Sequence, residues 1–315
     1  MTAARQRALV LLFKLEIRES PNDPIALPKI MPMNLSLDAP SPLAYFASLV
    51  QSDAGFPLLE AAICLAQDEY PELDVQQVLG EVDQLLARLK RRTPEDAGPI
   101  QKLRAINQFF FRDLKFGGNL NNYYDPDNSY INAVLRCRRG IPISLAVLWI
   151  ELAQGMGLAA RGVGFPGHFM VKVSLPKGQV VIDPIDGQSL SREELDERLE
   201  PFHRNSGLAG DYEVPLGLYL QAAPPRDIIA RMLRNLKDIY TTQEDWPRLM
   251  AVLDRLIVLL PQAWSEYRDR GLTYAELGQS SLAAADLECY LIHSVGALDG
   301  EAIALRRAEL LRQPG

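Results

Sequence analysis

The strongest constraint on what this chain can fold into is a self-similarity at a spacing of 34 residues near its end. Shifting the sequence by 34 places Tyr240 on Tyr274, Leu249 on Ala283, Leu253 on Leu287 and Leu256 on Tyr290. Pro261 closes the first unit where Val295 closes the second. A fixed period of this length belongs to stacked helix–turn–helix repeats, because each unit buries its apolar face only against a neighbour. In the second unit Tyr267, Gly271, Tyr274, Gly278 and Ala283 run aromatic, small, aromatic, turn and small. The small residues let paired helices approach, and the aromatics fill the space between units. The first unit has Lys237 and Glu244 where small residues would stand. Two units and a final helix over Glu301 to Leu311 are too few for a free-standing stack. They are therefore expected to pack on the part of the chain that precedes Pro224-Pro225.

That preceding part reads as helix after helix from Ser41-Pro42, an N-cap followed by proline at the first helical position. Apolar residues at three-to-four spacing predict helices over Leu43–Val50, Pro57–Tyr70, Val75–Arg91 and Gly98–Leu114. A turn-rich stretch follows, Gly117 to Asn128, in which Gly, Asn and Asp supply turn conformations. An apolar helix is then expected over Ile141–Met156. Short strands follow at Ala160–Val163, Phe169–Val173 and Val180–Ile182, rich in Val and Ile. Ser191-Arg192-Glu193-Glu194 is a capping box that opens another helix. The predicted class is α+β over residues 34–223, followed by an all-α repeat module over 224–315.

Residues 1–33 are expected to form a dispensable tail or an over-extended start. Their apolar run, Ala8 to Phe13, is six residues long and is followed at once by Lys14, Glu16 and Arg18. That is shorter than a secretory signal needs and far below the roughly 20 residues of a membrane span.

The chain has 315 residues, with 33 basic against 40 acidic side chains and a net charge of −7. An acidic total argues against nucleic acid or an anionic membrane as partner, since both are bound by neutralising phosphates with Lys and Arg. Three scattered cysteines, Cys64, Cys137 and Cys289, build no disulfide framework and point to a reducing, cytoplasmic setting. With only His168, His203 and His293 beside them, no metal-ligand spacing is present. Neither metal nor cofactor is expected. His203 and His293 default to the surface, and Cys64 and Cys289 to helix cores.

Chemistry concentrates between Arg139 and Gly187. Here a helix N-terminus follows Gly140, His168 opens a strand, and Asp183 closes the next. A nucleophile at a helix N-terminus gains from the positive end of the dipole, and a histidine held by an aspartate can act as its base. The same pair can equally brace the Phe165-Pro166-Gly167 turn as a structural element. The residues alone leave both readings open.

Several consecutive motifs carry a resemblance. They are Glu69-Tyr70-Pro71, the run Tyr123 to Tyr130 (YYDPDNSY), the run Arg139 to Leu145 (RGIPISL), the run Gly164 to Phe169 (GFPGHF) and Ile182-Asp183-Pro184. With these the chain resembles the transglutaminase-like superfamily, and within it the bacterial SirB-one N-terminal family with its tetratricopeptide-like C-terminal region. The match runs from about Ser36 to the C-terminus and implies a native start near Met31 or Met33. It implies a papain-like fold with a Cys–His–Asp triad, in which His168 takes the histidine position and Asp183 the aspartate position. The cysteine position falls on Pro142, as Gly140 and Ala146 on one side and Gly157 to Arg161 on the other both indicate. Proline offers neither a nucleophile nor an amide donor.

Ser144 and Cys137 are the alternative nucleophiles. Ser144 lies about 200° around the helix from Pro142, which predicts that it faces away and back-bonds its own helix. Cys137 has arginines nearby that would favour a thiolate, although Val134 and Leu135 suggest burial. Tyr123, Tyr124, Asn128, Tyr130, Arg139 and Phe165 are the expected rim of a remnant ligand cleft, with Glu69 projecting toward it and Glu151 read first as a solvated helix residue. The expectation is a non-catalytic, regulatory protein of the bacterial cytoplasm that binds a protein or peptide through its repeats or this cleft. The alternative is a hydrolase or acyl transferase using His168 and Asp183 with Ser144, Cys137 or a water.

Overall fold

Ser41 caps a helix as its sequence suggests, its side-chain oxygen accepting the Ala44 N–H at 3.2 Å ahead of α1 (Pro42–Leu49). The computed structural model describes residues 40–119, 121–205 and 214–312; the tail expected over 1–33 and the His203 side chain lie outside these. α2 (Leu58–Cys64) is followed by α3 (Val75–Arg91), which Asp74 caps by accepting from the Gln76 and Gln77 N–H groups at 2.8 and 3.2 Å. Val78, Leu79, Val82, Leu85 and Leu89 form its buried stripe, and Arg88, Lys90 and Arg91 complement the negative end of its dipole.

The helix expected over Gly98–Leu114 divides into α4 (Pro99–Asn107) and a π-helical turn over Gln108–Asp113. Three consecutive aromatics, Phe109, Phe110 and Phe111, are all buried there. A 3.6-residue helix would spread three neighbours over 200° of its circumference, and the wider turn is the local departure that accompanies turning all of them inward.

β1 (Gly117–Gly118) pairs in parallel with β2 (Arg139–Gly140), and between them lie a 3-10 turn (Pro126–Asn128) and α5 (Ile131–Cys137). α6 (Pro142–Gly155) is apolar all round and has eleven buried residues, among them Trp149 and Leu145. A helix without a polar face belongs in the interior, and α6 touches α2, α3, α4, α5 and the sheet. The sheet is an antiparallel meander of β3 (Ala159–Val163), β4 (Met170–Leu175), β5 (Gly178–Ile182) and β6 (Ser189–Leu190). Alternation along β4 sends Val171 and Val173 into the main core with α6, and Met170 to the opposite face. That face is covered by Leu195 and Leu199 of α7 (Arg192–Asn205) and by Leu220, which follows α8 (Leu216–Tyr219). The capping box forms: the Ser191 N–H donates to Glu194 Oε2 at 2.7 Å, and the Glu194 N–H to Ser191 Oγ at 3.2 Å.

The repeats comprise α9 (Pro225–Thr242), α10 (Trp246–Leu259), α11 (Trp264–Glu276), α12 (Ser280–His293) and α13 (Gly300–Leu310). α10 and α12 begin and end 34 residues apart, the period read from the sequence. Glu244 adopts the left-handed conformation that Gly278 adopts one period later (φ 54° and 71°), so the turn survives a residue unsuited to it. A Cβ on Gly271 would lie 2.9 Å from Leu287, showing how closely α11 and α12 approach. Its counterpart Lys237 instead bonds Glu266 at 2.5 Å, and Asp269. The apolar faces of α9 and α10 belong to the main core, whereas α12 and α13 share a smaller cluster of Ala283, Leu287, Tyr290, Ile303 and Leu310. From α10, Arg255 reaches the Cys64 carbonyl at 3.4 Å and pairs with Asp68. α2 ends at Cys64, where the sequence predicted a helix continuing to Tyr70.

Candidate functional site

Pro166-Gly167 makes the turn that delivers His168 to the start of β4, with Gly167 in the left-handed region (φ 67°) that glycine accepts freely. Asp183 stands where β5 ends. His168 Nε2 lies 3.0 Å from Asp183 Oδ1, which also accepts the Ile185 N–H at 3.0 Å. Asp183 Oδ2 accepts from Arg198 of α7 at 2.9 Å. Burial of Asp183 works to raise its pKa; the hydrogen bonds and charge of His168, the Ile185 N–H and Arg198 outweigh that and hold it at about 2. The aspartate therefore stays ionised and fixes the ring by Nε2, leaving Nδ1 outside that bond. Behind the ring, Arg231 of α9 donates to the His168 carbonyl at 2.9 Å. Arg198 and Arg231 are neighbours of this pair that sequence reasoning missed. They lie 15 and 63 residues from the groups they hold, at helix positions that no local pattern marks.

The Asp183 turn is brought to the start of α6 through the short strand pair. A Cβ on Gly118 would lie 2.8 Å from Ile185 Cδ1, and Gly118 pairs with Gly140 immediately ahead of Ile141 and Pro142. Pro142 is buried at the first turn of α6, which has no side-chain cap. A proline is well placed there for the helix and offers nothing to a substrate.

The two alternative nucleophiles differ in exposure. Ser144 is wholly buried, and its hydroxyl donates to the Asn128 carbonyl at 2.6 Å and lies 3.0 Å from the Ile141 carbonyl, the back-bonding its position predicted. Cys137 is exposed, against the burial suggested by its neighbours, because it ends α5 ahead of the left-handed Arg138. Its arginines are engaged elsewhere: Arg136 with Asp127, Arg139 with the Lys115 carbonyl at 2.6 Å, and Arg138 over the Phe116 ring. Burial pushes the Cys64 thiol up to about 12 and also raises that of Cys289, so neither favours a thiolate. Cys64 is in the core, Cys289 only half-buried. His293 is exposed and stacks on Trp264 at 3.9 Å.

The expected rim residues separate. Tyr123 and Tyr124 line a cavity of about 380 Å³ together with Ser129, Ile141 and the α9 residues Asn235 and Asp238. Asn128 is buried and shapes the loop from inside, donating to the Asn122 and Tyr123 carbonyls at 2.6 and 3.2 Å. Tyr130 is buried with its hydroxyl 2.7 Å from that of Tyr240, tying the loop to α9. Phe165 packs behind the sheet. Arg139 is occupied as above, and Glu69 turns to Arg248 of α10. Glu151 lies on α6, half-buried. Among the described residues no group of three or more His, Cys, Asp and Glu could hold a metal ion, and no helix is long and apolar enough to cross a membrane.

A buried central helix beginning after a glycine strand, with a histidine just ahead of one strand and an aspartate just past the next, defines a class, and comparison with known proteins agrees. Residues 76–234 match the transglutaminase-like superfamily and 236–312 the tetratricopeptide repeat. The chain belongs to the transglutaminase-like superfamily. It is 39% identical over 259 residues to the UPF0162 protein of Xylella fastidiosa (strain Temecula1 / ATCC 700964), covering 80% of this chain and 91% of that one. It is 25% identical to the UPF0162 protein of Vibrio cholerae serotype O1 (strain ATCC 39315 / El Tor Inaba N16961) over 75% of this chain and 86% of the relative. The same shares hold for the UPF0162 protein YchA of Escherichia coli (strain K12), also 25% identical. No solved structure matches the chain.

Proposed function

We propose that this chain is a transglutaminase-like protein without thiol chemistry, which acts as a protein-binding, regulatory module in the bacterial cytoplasm. The observation that carries the reading is Pro142, buried at the first turn of α6 in the position the resemblance assigns to the nucleophile. The repeats supply the means of binding, since stacked helix pairs present an extended surface to a partner. Few cysteines and bacterial relatives support the setting.

Labelling with iodoacetamide and a fluorophosphonate, on the wild type and on His168→Ala, tests it. The expected result is no labelling that depends on His168 and no amidase or esterase turnover. Labelling that His168→Ala abolishes overturns the reading. In Pro142→Cys the new thiol is expected to gain iodoacetamide reactivity that falls when His168 is also replaced by Ala.

The retained His168–Asp183 pair favours a second reading, a hydrolase or acyl transferase in which His168 activates a water. Turnover of an amide or ester substrate by the wild type, lost in His168→Ala, would establish it.

A further inference from the structure

The cavity behind Tyr123 and Tyr124 is built from three separate parts of the chain: the loop before α5, the residue preceding α6, and the first repeat helix. Both tyrosines are exposed, Tyr124 by 75%, and their rings meet edge to face with centroids 5.5 Å apart. Ser129 is wholly buried at the cavity, and its hydroxyl has no hydrogen-bond partner. A buried, unpaired hydroxyl is a standing penalty unless something else completes it.

A second cavity of about 610 Å³ continues from the first, sharing Asp238 and Thr242 and running past Trp246 to Asp269 and Glu276 of α11. The one cation along it, Lys237, is bonded to Glu266 and Asp269. Asp238 and Glu276 have no ion-pair partner among the described residues. Arg231, beside Tyr123, donates to the His168 carbonyl, and Arg234 pairs with Glu266 at 3.5 Å, so among the described residues the strip offers aromatic faces and the uncompensated carboxylates of Asp238 and Glu276.

We propose that this strip, from Tyr124 along α9 to Glu276, binds a basic segment of a partner protein. One Lys or Arg side chain enters the first cavity, where the tyrosine faces and the Asp238 carboxylate attract its charge and the Ser129 oxygen accepts its N–H. The rest of the segment follows α9 toward Glu276. The proposal rests on the protein-binding reading above and adds the chemistry of the partner.

The probe is a phage-displayed library of random dodecapeptides panned against the full chain, followed by titration of the synthetic consensus peptide. The expected consensus carries Lys or Arg at a shared position. Its affinity should fall at least tenfold in Asp238→Asn and in Tyr124→Ala and about threefold in Ser129→Ala, with no change in the remote control Glu72→Gln. Circular dichroism melts should stay within a few degrees of the wild type for all four, since among the described residues none of these side chains makes a hydrogen bond or an ion pair. A consensus that needs Tyr124 but has no basic residue overturns the charge assignment and leaves the protein-binding reading standing. A basic consensus weakened equally by Glu72→Gln and Asp238→Asn overturns the site. If nothing enriched depends on Tyr124 or on α9, both the proposal and the repeat-mediated reading fall.

Discussion

The His168–Asp183 corner and the Tyr123–Ser129 cavity wall both border the start of α6, and they use their polar atoms in opposite ways. At the corner each Asp183 oxygen accepts hydrogen bonds, and a second arginine holds the histidine backbone from behind. At the cavity a buried hydroxyl is unpaired and two tyrosines face outward. Two serines condense the contrast: Ser144 and Ser129 are both wholly buried, yet one hydroxyl has carbonyls at 2.6 and 3.0 Å and the other has none. Satisfied polar groups hold a structure in place, while an unsatisfied one is a capacity for something not yet bound.

The comparison breaks if replacements on the two sides are felt equally. The largest effect is expected from Asp183→Asn. An aspartate held at about 2 when folded, against an ordinary value of 3.8, contributes on the order of 2 kcal/mol at neutral pH. Its pKa is depressed on folding, so that stability is full above pH ~4 and is lost as the pH falls through about 2. Urea unfolding from pH 7 to 2 should show the variant's deficit shrinking toward acid, and a deficit that stayed constant would count against the ion pairs as its source.

Next comes Gly140→Ala. Its Cβ would lie 2.7 Å from Ser144 Oγ and 3.3 Å from the Asn128 carbonyl. Overpacking of that kind costs about 1–3 kcal/mol, and adding Ser144→Ala should recover part of it. A strictly additive double variant would mean that the crowding lies elsewhere. Ser144→Ala alone should cost about 1 kcal/mol, the net worth of its hydrogen bonding. Ser129→Ala is the smallest, within about 0.5 kcal/mol, because no bond is broken. A loss in Ser129→Ala as large as in Ser144→Ala would erase the distinction between the two walls.

Local chemistry makes much of this legible in the sequence. The Ser41 cap, the Ser191–Glu194 box and the α10–α12 spacing are short-range or periodic signals, and they stand where they were read. His168 and Asp183 were legible because strand ends display their residues and the motifs around them are consecutive. What stayed hidden depends on contacts between distant segments. The three phenylalanines fit a helix by composition, yet burying all of them goes with a π turn that no spacing announces. The rim looked like one group in sequence; the fold sends Tyr123 and Tyr124 outward, Asn128, Tyr130 and Phe165 inward, and Arg139 to the Lys115 carbonyl. The partners of the tyrosines come from α9, more than a hundred residues away.

The position of α9 has a thermodynamic consequence. Its buried face supplies Leu233 and Leu236 to the main core, while its outer face supplies Asn235 and Asp238 to the cavity. One rigid helix thus belongs both to the global folding unit and to the candidate recognition surface, and undocking it would dismantle both. A molecule that occupies the cavity must then favour the folded chain by mass action, raising its melting temperature in proportion to the logarithm of the free concentration once the site is well populated. Binding at this surface would be readable as heat resistance of the whole protein.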